Sequence, residues 1–222
     1  MNSQHSTLTS QLIGPAATIH RTLSAKLTRS NPREDVLKFL IYGPPGSGKS
    51  TVAAMLAAQL LTGITPSPDA IGKMRRSGDW ACAIEEMSGA SVSVDTVRQW
   101  HNSRGMFSMF GDWRIRIVEE LDSVPSVAQT AMLDYLDKVP PGTAIIATSN
   151  IQMDLLQERF HSRFQAWKCP GPEAPELRAH LTARFRELPA AIATNIAECA
   201  CGNVRQAMLD AESWLDTQLV AA

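Results

Sequence analysis

The sequence predicts an α/β chain: a parallel sheet sandwiched between helices, followed by a small C-terminal helical lid. Three observations predict it. Short apolar runs with strand character alternate with helical patterns between about residues 36 and 167, which is the signature of a parallel sheet. From about Pro172 the strands stop and three helix-like runs follow. The glycine-rich segment Gly43–Ser50 (GPPGSGKS) stands between an apolar run and a helical one.

In chain order, residues 1–10 are polar and expected to be flexible. Gln11–Leu27 has helical spacing, with Ile19, Leu23 and Leu27 on one face. Thr28–Glu34 is a turn-rich break, and Val36–Tyr42 reads as a buried strand feeding the glycine loop. Lys49–Leu61, rich in alanine and leucine, reads as a helix. Thr62–Asp79 is full of Gly, Pro and Ser and is expected to be a long surface excursion, with Lys73, Arg75 and Arg76 facing solvent or DNA. Trp80–Met87 is expected to be a second strand. Ser93–Arg104 reads as a helix capped by Ser93, and Ser126–Asp137 as an amphipathic helix capped by Ser126. Arg114–Glu119, Thr143–Thr148 and Phe164–Trp167 complete the strands. The lid runs are Ala174–Arg186, Pro189–Cys201 and Val204–Leu219. The expected division is an α/β domain over residues 11–170 and a helical lid over 171–222.

Composition bounds the function. With 222 residues, 44% hydrophobic and 19% charged, the chain can build a core. A net charge of −1 excludes a strongly basic, non-specific nucleic-acid binder, so any DNA contact must be a local patch or shared among subunits. The four cysteines (Cys82, Cys169, Cys199, Cys201) form no CxxC pair, which argues against structural zinc and for reduced thiols in the cytoplasm. The N-terminus shows no signal-peptide pattern, and the longest apolar stretch, Val52–Leu61, is too short to span a bilayer. Five scattered histidines make no HExxH pair and are expected at surface positions, and the tryptophans read as packing residues. Gly105–Asp112 is either a loop folded on the core or a partner contact.

The strongest motif is Gly43-Pro44-Pro45-Gly46-Ser47-Gly48-Lys49-Ser50, a full G-x-x-x-x-G-K-[ST] phosphate loop between strand and helix. Its glycines let backbone N–H groups turn inward, and the following helix presents its N-terminal dipole. Lys49 supplies charge for the β and γ phosphates, Ser50 a hydroxyl for Mg2+, and Thr51 stands near the α phosphate. The expected ligand is ATP with magnesium. The strand Arg114–Glu120 (RIRIVEE) has the form of a Walker B segment. Glu119 would hold the metal where Asp is usual, and Glu120 would orient or activate the attacking water.

With these motifs the chain resembles AAA+ ATPases of the P-loop NTPase class, and among them clamp-loader subunits of the replication factor C type, from Leu12 to about Leu219. The resemblance implies that Ile13 and Gly14 pack on the adenine. It implies that Asn150, ending Ala147-Thr148-Ser149-Asn150, is a sensor near the γ phosphate. Ser162-Arg163-Phe164 resembles the clamp-loader Ser-Arg-Cys, which makes Arg163 an arginine finger acting on a neighbour's ATP, with Arg159 in reserve. Gly202-Asn203-Val204-Arg205 resembles the lid sensor, with Arg205 reaching the γ phosphate of its own subunit. Ile84–Arg98 resembles the family's second strand, small-residue turn and helix. The implied partners are an oligomeric ring or hetero-oligomer, DNA, and a replication protein such as a sliding clamp or helicase, with no membrane. The sequence ends just after the lid and lacks the loader's zinc cysteines, which suits a compact relative from a mobile element or phage. Alternatives are a helicase loader, a transposition ATPase, or an ATP-binding scaffold with weak hydrolysis. A small-molecule kinase is disfavoured because the sensor and finger arginines have no role there.

Overall fold

The computed structural model describes residues 12–103, 111–150 and 158–221. The N-terminal ten residues, and Gly105–Asp112 apart from its last two, lie outside them. In chain order the elements are α1 (Gly14–Leu27), β1 (Val36–Tyr42), α2 (Lys49–Thr62), α3 (Pro68–Met74), α4 (Gly78–Ala83), β2 (Ile84–Ser88) and α5 (Val94–Asn102). Then come β3 (Arg114–Glu119), α6 (Ser126–Asp137), β4 (Thr143–Ser149), α7 (Glu158–His161), β5 (Gln165–Lys168), α8 (Ala174–Arg184), α9 (Ala190–Cys199) and α10 (Val204–Ala221).

The five strands form one parallel sheet in the order β2-β3-β4-β1-β5. The middle strands carry the apolar runs: every residue of β4 is buried, and β3 is buried from Ile115 to Val118. One face of the sheet packs on α1 and α2 through Leu23, Phe39, Leu56 and Ile117. The other packs on α5 and α6 through Leu40, Trp100, Met132 and Ile145. A third cluster, including Leu177, Leu181, Ala193 and Ala207, holds α8, α9 and α10 together as the lid. Because all strands run the same way, their carboxyl ends share one edge. That edge carries the phosphate loop after β1, the acidic pair at the end of β3 and Asn150 after β4.

Most elements lie where the spacing places them; four expectations are corrected. Thr62–Asp79 is no open excursion: Ser67 caps α3 by accepting from the Ala70 N–H, and α3 buries Ile71. Its Arg75 turns inward, while Lys73 and Arg76 are exposed. Trp80–Met87 is not a single strand, because Ser77 caps α4, which holds Trp80, and β2 begins only at Ile84. Ser126 is the first residue of α6, whose cap position is Pro125. Ser93 does cap α5, in a reciprocal capping box with Thr96.

The basic start of β3 also has a structural use. Arg116 is buried between the rings of Trp100 and Tyr135, at 5.0 and 5.5 Å from their centroids. It donates to Glu85 Oε2 at 2.8 Å and Tyr135 Oη at 2.6 Å. Among the described residues no helix is long and apolar enough to cross a membrane.

Candidate functional site

The carboxyl edge of the sheet opens into a cleft of about 460 Å³. Its walls come from four places: Pro45, Gly46, Gly48, Lys49, Ser50 and Thr51 of the loop and α2; Glu119 and Glu120 at the end of β3; Thr148 and Asn150 at the end of β4; and Val204, Arg205 and Met208 of the lid. Segments more than 150 residues apart in sequence, such as Gly46 and Arg205, meet here.

The loop's conformation needs its glycines. Gly46 has φ +76, and a Cβ there would stand 1.8 Å from the Asn203 side chain of the lid. Gly48, at the cap position of α2, has φ +97. The lid reaches this loop directly, because the Val204 N–H donates to Gly46 O at 3.0 Å. Asn203 also caps α10, accepting from the Gln206 N–H at 3.1 Å, as an aspartate there would. Pro44 accepts from Lys49 Nζ at 2.6 Å through its carbonyl oxygen. Gly43 lies against the backbone of Cys169, whose buried Sγ lies 3.6 Å from Ser47 O. Burial pushes the Cys169 thiol above its ordinary range, so it stays a neutral packing group beneath the loop.

Lys49 is 5% exposed. Burial pulls its ammonium below the ordinary value; Cys169, Asp122 and Glu120 act against this shift and Arg205 adds to it. Among the described residues no carboxylate pairs with it at salt-bridge distance. A buried ammonium in a glycine loop at a helix N-terminus, held here by the Pro44 carbonyl oxygen, fits an anionic phosphate. The buried Ser47 Oγ likewise has no partner among the described residues. Ser50 and Glu119 offer oxygen donors to the same cleft, the donor type that suits a hard divalent cation.

Glu120 has φ 55 and ψ 57, a left-handed turn unusual for a residue with a side chain. The turn is held from several sides. The Glu120 N–H donates to Thr148 Oγ1 at 3.2 Å, and its carbonyl accepts from the Ser123 N–H and hydroxyl at 2.8 and 2.7 Å. Gly89 makes room, since a Cβ there would lie 2.2 Å from Glu120 O. The carboxylate then meets Asn150, whose Nδ2 donates to Oε1 at 3.3 Å. Asp122, which the sequence reading did not single out, anchors the neighbouring strand end. Its Oδ1 accepts from Ser149 Oγ at 2.7 Å and from the Asn150 N–H at 3.2 Å. The spacing Glu119-Glu120-x-Asp122 was its signal in the sequence.

A smaller cavity of about 130 Å³ adjoins the loop, lined by Ile13, Ala16, Ser47, Gly48, Thr51, Pro68, Asp69, His180, Arg184 and Val204 among others. Ile13 is thus part of this cavity's wall. Gly14, with φ +55, packs against Pro172 and Glu176 at the entry to the lid. His180 and Arg184 were also missed; both lie on α8, and Arg184 Nη1 is 3.3 Å from Asp69 Oδ1 of α3.

Arg163 is not brought to this cleft. It precedes β5 at the opposite edge of the sheet and makes a two-pronged contact with Asp137 at the end of α6: Nε–Oδ1 2.7 Å and Nη2–Oδ2 2.6 Å. That hydrogen bonding raises the Arg163 guanidinium and holds the Asp137 carboxyl below its ordinary range. Arg159 lies one helical turn away, and its carbonyl oxygen accepts from Arg163 Nη1 at 2.7 Å.

Residues 39–167 match the family model described as "ATPase family associated with various cellular activities (AAA)". Over 197 residues the chain is 22% identical to a probable replication factor C subunit 5 of Dictyostelium discoideum, covering 85% of this chain and 52% of that protein. Over 199 residues it is 25% identical to the Holliday junction branch migration complex subunit RuvB of Helicobacter acinonychis, covering 86% and 56%. The chain thus spans about half the length of these relatives. A solved structure of a Thermotoga maritima RuvB variant superposes with a TM-score of 0.68 at 18% identity, covering 96% of this chain and 66% of that one, which shows a shared fold.

Proposed function

The chain belongs to the ATPase family associated with various cellular activities, and from that membership we propose that it binds and hydrolyses ATP with magnesium in the 460 Å³ cleft. The observation that carries this reading is the meeting of Lys49, Ser50, Glu119, Glu120, Asn150 and Arg205 around one space. The loop N–H groups and Lys49 hold the β and γ phosphates, and Ser50 with Glu119 hold the metal, which when bound neutralises charge on the phosphates. Glu120 orients the attacking water and accepts its proton, and Asn150 fixes the Glu120 carboxylate by its 3.3 Å hydrogen bond. Arg205 brings a second fixed positive charge from the lid, so the lid's seat on Gly46 depends on what occupies the cleft.

Hydrolysis drives assembly or remodelling of a protein–DNA complex in an oligomer, in the manner of a clamp loader. Supporting this target class are relatives named as a replication factor C subunit and a Holliday junction branch migration subunit. With a net charge of −1, the DNA contact in this reading is a local patch or is shared among several subunits.

The test is a nucleotide titration and a phosphate-release assay on the folded protein, with and without DNA. Lys49→Ala is expected to weaken ATP binding at least tenfold, since the charge-assisted contacts it removes are of the order of 1.5–3 kcal/mol. Unchanged ATP affinity in folded Lys49→Ala would remove the phosphate-loop assignment. Binding without hydrolysis, alone and with DNA, would leave a nucleotide-gated scaffold.

A further inference from the structure

Glu119 has a partner that hydrolysis does not require. Arg75, at the C-terminal end of α3, donates from Nη2 to Glu119 Oε1 at 3.1 Å. The same guanidinium grips Glu86, with Nε–Oε2 at 3.2 Å and Nη2 in close contact with Oε1. Glu86 is itself held by Trp80 Nε1 at 2.9 Å. Strand register explains the arrangement. Ser88 stands opposite Glu119 and Glu86 opposite Ile117, so the two glutamates project from one face of adjoining strands. The guanidinium lies between them, and about a third or less of each of the three side chains is exposed.

The geometry points to Arg75 as a counter-charge that competes with the nucleotide's divalent cation for Glu119. This inference rests on the reading of Glu119 as a metal carboxylate. Two effects oppose each other. By tethering Glu119, Arg75 removes rotamer freedom that metal binding would otherwise cost, which favours the metal. By neutralising the carboxylate and holding a positive charge 3.1 Å from its oxygen, it would repel a divalent cation bound there. In a half-buried cleft the Coulomb effect is the larger, because it acts on two charges through weakly screening surroundings. Glu86 makes the exchange feasible. When Glu119 turns to the metal, Arg75 keeps a carboxylate partner, so no charge is left unpaired. The pair therefore sets how much free divalent cation the site needs.

The experiment uses the full chain with a non-hydrolysable ATP analogue bound stoichiometrically and Mn2+ as the probe, free Mn2+ being read by electron paramagnetic resonance. Arg75→Gln is expected to tighten Mn2+ binding roughly threefold or more, the scale of one partly screened charge pair. Arg75→Lys, which keeps the charge, stays near the parent protein. In a Glu119→Gln background the effect of Arg75→Gln falls to less than half. Arg75→Gln that is folded yet binds Mn2+ equally or more weakly overturns the inference. Should Arg75→Gln fail to fold, Glu86→Gln decides. It leaves Arg75 only Glu119, so Mn2+ affinity falls, and an equal or higher affinity overturns the inference. Two controls separate this from the nucleotide reading. If the analogue does not bind in excess chelator, the phosphate-loop assignment fails. If Glu119→Gln does not alter Mn2+ affinity, the metal role of Glu119 fails and this inference with it.

Discussion

Glu120 shows how one backbone angle places a reactive group. A left-handed conformation in a residue with a side chain costs on the order of 1–2 kcal/mol, so surrounding contacts must hold it. Thr148, Ser123 and the space above Gly89 do so. The turn carries the Glu120 carboxylate to Asn150, while Glu119 stays in line with β3 and meets Arg75. The two acids are adjacent in sequence but differently engaged, and separate substitutions distinguish them. Glu120→Gln keeps the shape and the Asn150 contact and removes the base. ATP is expected to bind as before while turnover falls about 10²-fold or more, the usual scale for loss of a general base. Steady-state phosphate release beside an equilibrium binding titration measures both. If Glu119→Gln stops turnover and Glu120→Gln does not, the acid roles are reversed.

Among the elements, α1 and α8 each half-bury a histidine: His20 lines a groove with Ser24 and Met55, and His180 lines the 130 Å³ cavity, neither at the surface position expected. His20 on α1 and His180 on α8 are both held below the ordinary value of 6.5, chiefly by burial; for His180 the neighbouring Arg184 adds to the shift and Asp69 opposes it. Each has a ring nitrogen without a partner among the described residues, Nε2 of His20 and Nδ1 of His180. The sign of the pH effect follows. In the unfolded chain both protonate near 6.5, whereas in the fold they resist protonation to a lower pH. As pH falls through that window the unfolded state binds more protons, so stability present above about 6.5 is lost. Nucleotide-free protein is expected to show a lower urea midpoint at pH 5.5 than at pH 7.5. His20→Phe and His180→Phe should each reduce that difference, provided each folds. A difference that persists in the double variant would assign it to other groups.

At the scale of the whole molecule, the position of Arg163 separates two roles. β5 pairs with β1 from Phe39 opposite Gln165 to Tyr42 opposite Lys168. Arg163 comes two residues before Gln165, whose partner Phe39 is four residues below Gly43, and at ~3.3 Å per residue that partner alone is roughly 13 Å along the sheet from the loop. A guanidinium there does not reach its own cleft. It either serves the ATP of a neighbouring subunit or only closes the end of the α/β domain on Asp137. A shared site makes specific ATPase activity rise with protein concentration and makes Arg163→Ala bind ATP but not hydrolyse it. Mixing Arg163→Ala with Lys49→Ala tests the sharing directly. In a mixed oligomer, Arg163 from the Lys49→Ala subunit can face ATP bound by the Arg163→Ala subunit, so activity partly returns. If labelled subunits exchange and no activity returns, or dilute monomer hydrolyses at full rate, the Asp137 pair is the whole role of Arg163.

Much of this architecture was legible in the residues. Val36–Tyr42, Gly43–Ser50 and Lys49–Leu61 specify strand, phosphate loop and helix because each signal is local: an apolar run, fixed glycines, and a helical pattern with no breaker. The alternation of strands and helices, the acids after β3 and the helical lid were readable for the same reason. The region Thr62–Ala83 was not, because α3 and α4 are too short for periodicity to register, and their Gly, Pro and Ser content resembles a loop. The pairings of Arg75 with Glu119, Asp122 with Ser149, and Arg163 with Asp137 join residues 44, 27 and 26 positions apart. Sheet register and helix docking alone bring such residues together. The sequence by itself therefore determined that a parallel α/β sheet with a glycine-rich loop after its first strand would form, followed by packed C-terminal helices. The tertiary structure decided which charges face the cleft, which are already paired, and that Arg163 lies at the far end of the sheet.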